Sequence, residues 1–216
     1  MRIRVLALLP FVLACACNRP AEPAKRPAAV PPAPAMDAIT LERRDDGLYY
    51  QVGAAQPFTG TDVEPDRKKE QEEQRMGFVL ATPYQAGRIH GAKTCYYPGG
   101  GVQEERVFDN GVARSSTLYF PPSRGGGKKL EVPLNAKDVA EGRMLRYFPN
   151  GKLFTEAFLD ADEKWHGDFK EYSEDGTLQG HYRWEHGVLR EMVSETPEQK
   201  AKREKDKPSL KVEPAS

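Results

Sequence analysis

Apolar and polar positions alternate over residues 178–185: Leu178, Gly180, Tyr182 and Trp184 fall on one side, Gln179, His181, Arg183 and Glu185 on the other. A period of two with one polar side predicts a half-buried antiparallel strand. Leu153, Thr155, Ala157 and Leu159 alternate against Phe154, Glu156 and Phe158, which predicts a strand with apolar residues on both faces. Between such segments lie Asn150-Gly151 and Asp175-Gly176, dipeptides that accept positive φ at both central turn positions and are strong short-range hairpin signals. Asn110-Gly111 and Gly99-Gly100 read the same way. Outside the C-terminal tail no stretch keeps a helical period beyond two turns. The pattern predicts one hairpin after another.

The turn signals recur with fixed companions. Four residues after His90-Gly91 comes Tyr96-Tyr97-Pro98-Gly99-Gly100; four after Glu141-Gly142 comes Tyr147-Phe148-Pro149-Asn150-Gly151; four after His166-Gly167 comes Tyr172-Ser173-Glu174-Asp175-Gly176. Three copies of one unit are therefore marked by Gly91, Tyr96 and Gly100, by Gly142, Tyr147 and Gly151, and by Gly167, Tyr172 and Gly176. In two copies a further glycine, Gly111 or Gly187, follows eleven residues on. Tyr147 and Tyr172 are twenty-five residues apart; Tyr96 and Tyr147 are fifty-one apart, about two periods, with Tyr119-Phe120-Pro121 between them as a worn copy. Tyr84, Gly87 and His90 read as the end of an earlier unit.

These residues resemble the MORN repeat family and, more closely, its bacterial MORN-repeat variant, whose members are often labelled toxin–antitoxin antitoxins. Gly47-Leu48-Tyr49-Tyr50 followed by Gln56-Pro57-Phe58-Thr59-Gly60 resembles the opening unit of those proteins. The resemblance spans roughly residues 46–192, is good at the three clear copies and is poor over 61–83 and 112–135. It implies an all-β fold: an elongated, twisted antiparallel sheet of successive MORN-like β-hairpins, each covering its aromatic residues against its neighbours. It also implies an antitoxin role, neutralising a toxin by covering it; the extended surface of such repeats and the lack of a catalytic set point instead to a non-catalytic binding and scaffold module.

The N-terminus bears on location. Arg2 and Arg4 precede an apolar run of about ten residues, 5–14, too short to span a bilayer and suited to the core of a secretory signal. The run ends in Val12-Leu13-Ala14-Cys15, which resembles the bacterial lipobox and implies cleavage before Cys15 and lipid attachment to its sulfur. Cys17 is a second, poorer candidate. The expected organisation is a signal peptide over 1–14, a lipidated cysteine with a Pro/Ala-rich tether over 15–45, a repeat domain over 46–193 and a charged tail over 194–216. Ala16 and Asn18 in place of an acidic pair favour the outer membrane, by analogy, over retention in the inner one. With Cys15 lipidated, no structural disulfide is expected, and Cys95 reads as a small buried residue.

Composition changes the picture in two ways. Lys and Arg number 32 and Asp and Glu 32, so there is no net charge to gather nucleic acid or anionic lipid. A hydrophobic fraction of 38% and a mean hydropathy of −0.69 are low for a thick core, which points to a thin fold with polar extensions. The run 64–75 (EPDRKKEQEEQR) interrupts the repeats, and its lack of periodic apolar residues leaves a short exposed helix or a disordered insertion open. Residues 122–129 read as a flexible loop.

No catalytic constellation stands out: there is no Gly-x-Ser-x-Gly and no His-Glu-x-x-His. Gly125-Gly126-Gly127-Lys128 lacks the spacing and following hydroxyl of a phosphate loop. His181, Glu185 and His186 carry metal-ligand groups, but on one strand His181 and His186 point to opposite faces, so no metal site is expected from them. His90 and His166 share one repeat slot with Glu141, a periodic placement expected of a structural role. No cofactor is expected. The partner expected is a protein in the envelope, met by an aromatic face on which Trp165, Tyr182 and Trp184 are the candidate contacts, because exposed rings give large apolar area at low entropic cost.

Overall fold

The computed structural model describes residues 32–35, 39–73 and 77–195. The proposed signal peptide, Cys15, Cys17, most of the tether and the tail beyond 195 lie outside the described residues. The chain runs β1 (Leu41–Arg43), β2 (Tyr49–Gln51), β3 (Gly60–Pro65), α1 (Arg67–Glu73), β4 (Val79–Gln85), β5 (Arg88–Ile89), β6 (Gly91–Tyr96), β7 (Val102–Asp109) and β8 (Val112–Tyr119). A 3₁₀ turn (Pro122–Arg124) follows, then β9 (Lys128–Pro133), β10 (Gly142–Tyr147), β11 (Leu153–Leu159), β12 (Gly167–Tyr172), β13 (Leu178–Glu185) and β14 (Val188–Glu195). β1 and β2 pair by themselves, and the other strands form one twelve-stranded antiparallel sheet. β4 pairs with both β5 and β6, which act as one strand bent at Gly91 (φ 98°). Apart from that bend, every strand lies beside its sequence neighbour, as an all-β row of hairpins requires.

The three clear copies adopt one register. Gly91 faces Phe108, Gly142 faces Leu159 and Gly167 faces Trp184. Tyr96 faces Val102, Tyr147 faces Leu153 and Tyr172 faces Leu178, each just past a bulge before the tyrosine. A bulge strengthens the local twist, so the tyrosine slot also sets the coil of the sheet. The worn copy is a real hairpin, β8 with β9, widened by the 3₁₀ turn. Lys128 and Lys129 are therefore strand residues rather than part of a loop. β3 and β4 form another hairpin, and the charged insertion is its connection: residues 64 and 65 stay in β3 and 67–73 form a helix. Asp66 Oδ1 accepts from the Lys69 backbone N–H at its start (3.0 Å), and Gln103 Nε2 donates to Glu73 (2.9 Å). Polar contacts, not an apolar stripe, thus hold it to the sheet.

The turns correct one expectation. Two-residue turns with both central residues at positive φ occur at Ala86-Gly87, Asn110-Gly111 and His186-Gly187. At Asn150-Gly151 and Asp175-Gly176 only the glycine has positive φ (82° and 96°). There the loop is wider: Phe148 N–H bonds Lys152 O (2.8 Å) and Gly151 N–H bonds Phe148 O (2.9 Å), with the same pattern at Ser173, Thr177 and Gly176. The side chains of Asn150 and Asp175 instead accept from the backbone N–H two residues on, at 2.9 and 2.8 Å. Such side-chain turns suit Asn and Asp as well as positive φ does.

Alternation gives the sheet two unlike faces. Leu130, Val132, Met144, Ala157, Phe169 and Tyr182 share one; Glu131, Leu145, Glu156, Lys170 and His181 share the other. On the first, Val132, Met144 and Ala157 form a buried cluster with Leu130, Leu134, Ala140, Leu159, Trp165 and Phe169 packed against it; Tyr50, Val63, Phe78, Ala81, Cys95, Ala113 and Phe120 are buried outside that cluster. Ala157 is fully buried although the described strands make only one layer. Small residues in the middle of the row let the large rings beside them close over the backbone.

Candidate binding face

Residues 165–184 bring the sequence-predicted aromatic residues together. Trp165 enters β12 from the preceding loop, while Tyr182 and Trp184 stand on the adjacent β13. All three surround Phe169, with ring centroids 5.1 Å (Trp165), 6.1 Å (Tyr182) and 6.4 Å (Trp184) away. Edge and tilted packing of this kind is the favoured geometry for ring quadrupoles. The four rings are half-buried, and the Trp184 indole nitrogen is buried with no hydrogen-bond partner among the described residues. Gly180 is what lets Tyr182 lie down: a Cβ there would come within 2.5 Å of the Tyr182 hydroxyl oxygen. Sequence reasoning passed over Phe169; the available signal was its place as the one large apolar residue between Gly167 and Tyr172.

The repeat tyrosines are half-buried at the bulged end of each hairpin. Tyr147 donates its hydroxyl to Glu131, which also receives Lys128. Burial and that bond push the Tyr147 phenol up to about 12. Burial pushes the Glu131 carboxyl up too, but the Lys128 and Tyr147 hydrogen bonds outweigh it and hold the group below its ordinary value. Tyr97 donates to Tyr119 O (3.0 Å), tying the loop of one copy to the next.

The opposite face is a ladder of alternating charge. Glu156 meets Arg143 at 2.7 Å and Lys170 at 3.9 Å; Asp168 meets His181 at 3.1 Å and Arg183 at 3.6 Å. The His181 imidazole, and then Arg183 and Lys170, hold the Asp168 carboxyl below its usual range. Glu156 and His181 are largely covered, whereas the pair of Arg183 with Asp168 is exposed and contributes about 1 kcal/mol or less.

At the other end of the sheet a cleft of about 440 Å³ lies beside α1, lined by Glu64, Asp66, Lys93, Cys95, Glu104 and Arg106. Its charges are mixed. Cys95 is a free, buried thiol whose sulfur donates to Gln103 Oε1 (3.3 Å), and burial, then the Asp66 carboxyl, pushes it up to about 12. A thiol so protonated is a poor nucleophile. Gly125 and Gly126 have positive φ where they close the 3₁₀ turn. No strand-to-helix step follows them, since β9 begins at Lys128.

The shared repeat slot ties each copy to a neighbouring loop. Thr59 Oγ1 accepts from Ala86 N–H (3.0 Å) and His90 Nδ1 from Asn110 N–H (3.3 Å); Glu141 Oε2 accepts from Asn135 Nδ2 (2.9 Å). Phe58-Thr59-Gly60 thus acts as a first copy, as its resemblance implies: Gly87 N–H bonds Phe58 O (2.8 Å) just as Gly111 bonds Ile89 O (2.7 Å) and Gly187 bonds Trp165 O (2.9 Å). His166 holds the same slot beside β12, but its ring lies against that of His186, 4.7 Å between centroids.

Register-matched hairpins in a single layer, with rings on one face and paired charges on the other, define a β-hairpin repeat protein. Residues 140–160 and 165–186 match the MORN repeat variant, so a MORN repeat variant is present over 140–186. The two matches coincide with the hairpins β10–β11 and β12–β13. Comparison with curated proteins and with solved structures returned no match.

Proposed function

We propose that this chain is a non-catalytic binding or scaffold module that holds a protein partner against the aromatic face of its repeats. The observation that carries this reading is the cluster of half-exposed rings, Trp165, Tyr182 and Trp184 about Phe169, on a sheet whose described strands form one layer. MORN repeats are commonly used as such modules. Open repeat sheets offer extended surfaces rather than enclosed pockets, and clustered aromatic residues dominate interface energetics. The place of action is the cell envelope, with the chain anchored through a lipid on Cys15. The apolar run 5–14 and the lipobox-like Val12-Leu13-Ala14-Cys15 support that location. The antitoxin reading is the alternative; it draws on the resemblance of the repeats to the variant family.

Two measurements test the proposal. Cross-linking in intact cells should capture one stoichiometric protein partner with the wild-type chain. Trp184→Ala, whose β-sheet circular dichroism should persist, should lose at least about tenfold of that capture, as expected for loss of an interface aromatic anchor. Capture unchanged by Trp184→Ala and by Trp165→Ala would rule out this face. Incorporation of a clickable fatty acid into the wild type, abolished by Cys15→Ser, checks the anchor; label retained in that variant shifts it to Cys17, and no label at all removes it. In co-expression with a neighbouring gene product, rescue of growth would favour the antitoxin role.

A further inference from the structure

At one corner of the C-terminal sheet three segments meet: the β11–β12 loop carrying Asp160, the residue before β12, His166, and the β13–β14 turn carrying His186. One ligand atom from each of the three side chains lies within 4.8 Å of the other two. We propose that Asp160, His166 and His186 bind a divalent transition-metal ion of the zinc class, through one carboxylate oxygen and two imidazole nitrogens, leaving a further position open.

The donor set fits that ion. Two neutral imidazoles and a carboxylate are ligands that zinc accepts at about 2.0–2.2 Å, with tetrahedral partners about 3.4 Å apart. Asp160 is prepared for it. Its Oδ1 accepts from the backbone N–H groups of Asp162 (3.0 Å) and Lys164 (2.9 Å), which fixes the carboxylate and turns Oδ2 toward His186 Nδ1, 2.7 Å away. Binding the ion would replace that short contact by two metal bonds, with a separation of under an ångström to take up. Backbone bonds to one carboxylate oxygen are the orienting outer-sphere contacts that metal ligands ordinarily have.

The chain supplies its own control copies. The β9–β10 loop repeats the β11–β12 loop: Asn135 O accepts from Asp138 N–H as Asp160 O does from Glu163 N–H, and Asp138 and Glu163 both have positive φ (65° and 58°). There Asn135 occupies the place of Asp160 and Glu141 that of His166, and the two form an ordinary hydrogen bond (2.9 Å). The β7–β8 turn repeats the β13–β14 turn, with Asn110 (φ 50°) where His186 (φ 46°) stands. Each loop geometry is thus made elsewhere in the chain without these side chains. The copy with Asn110 already has His90 in the slot of His166, and the copy with Asn135 has Glu141 there; the last repeat sets Asp160, His166 and His186, three metal-ligand residues, at all three positions.

The test is titration of the full chain, purified without a histidine tag, with Zn²⁺ by calorimetry and with Co²⁺ by visible absorption. One equivalent should bind saturably. Asp160→Asn and His186→Asn, which install the residues of the sister loops, should each weaken binding at least tenfold while leaving the far-ultraviolet circular dichroism unchanged. His90→Asn should bind as the wild type does. Absence of saturable binding overturns the proposal. So does binding that survives in both variants, or a Co²⁺ spectrum carrying thiolate charge-transfer bands, since either places the ion on other residues. The readout is the metal alone, so it stands or falls apart from partner capture.

Discussion

Glycine positions in this chain separate into two kinds by what surrounds them. Gly111 (φ 85°) has open space where a Cβ would point, whereas at Gly87 (φ 75°) a Cβ would lie 2.9 Å from Leu48 Cβ and 3.0 Å from Tyr49 O. Gly111→Ala should therefore cost about 1 kcal/mol, the penalty of a left-handed L-residue alone. Gly87→Ala should cost about 3 kcal/mol, because the backbone of Tyr49 must move as well. Urea unfolding of the two variants checks the difference; equal costs would mean that the β1–β2 sheet does not seat on this turn. The neighbouring Ala86 already bears φ 47°, with Thr59 Oγ1 accepting its N–H. At this scale the alternation of residues 178–185 made Tyr182 and Trp184 legible as one face. The corner of Asp160, His166 and His186 was not legible, because its members are joined only by the stacking of successive hairpins. The expectation of no metal site weighed His181 with His186, yet His181 pairs with Asp168 instead.

Single hairpins differ in how their turns respond to pH. Asp175 accepts from Ser173 Oγ and from Thr177 N–H, and these bonds, the hydroxyl first, hold its carboxyl at about 2 against an ordinary 3.8. A carboxyl lowered on folding adds stability above its unfolded value and loses it as the pH falls through the folded one. The β12–β13 turn should therefore loosen between about pH 4 and pH 2. An NMR titration should show the Thr177 amide shifting with an apparent value near 2, and Asp175→Asn should remove that step. An inflection at an ordinary carboxylate value would mean that the side-chain turn does not form in solution. The dipeptide rule located this turn but mistook its type. A Gly after Asp or Asn reports that the chain reverses, whereas the reversal geometry here is decided by the longer-range bond from Ser173 N–H to Thr177 O. The charged run before β4 was open between helix and disorder because the contacts that hold α1, such as Gln103 with Glu73, leave no trace in hydrophobic period.

Across the whole molecule, stability should be graded rather than uniform. The large contacts between elements all join sequence-neighbouring strands or hairpin partners. Val132, Met144 and Ala157 on β9–β11 pack into one continuous buried cluster, whereas Val63, Phe78, Ala81, Cys95 and Ala113 are buried outside it. β14 carries exposed Val188, Leu189 and Val193, and among the described residues no strand pairs with its outer edge. Arrays held by nearest-neighbour terms open in pieces. Native-state hydrogen exchange should find the slowest amides on β10 and β11 and the fastest strand amides on β14. A single opening free energy for both would show that the sheet unfolds as one unit.

Because each strand beyond the β4 bend looks only to the one before and the one after, the molecule's length is not locked in by its topology. Duplicating residues 142–166, one period of the row, would lay down two extra strands and shift the corner at His186 about 10 Å farther from α1. Nothing already built would have to be paired anew. A gene for such a chain can grow or shrink by whole periods, and the spacing between what sits at its two ends becomes a heritable measurement.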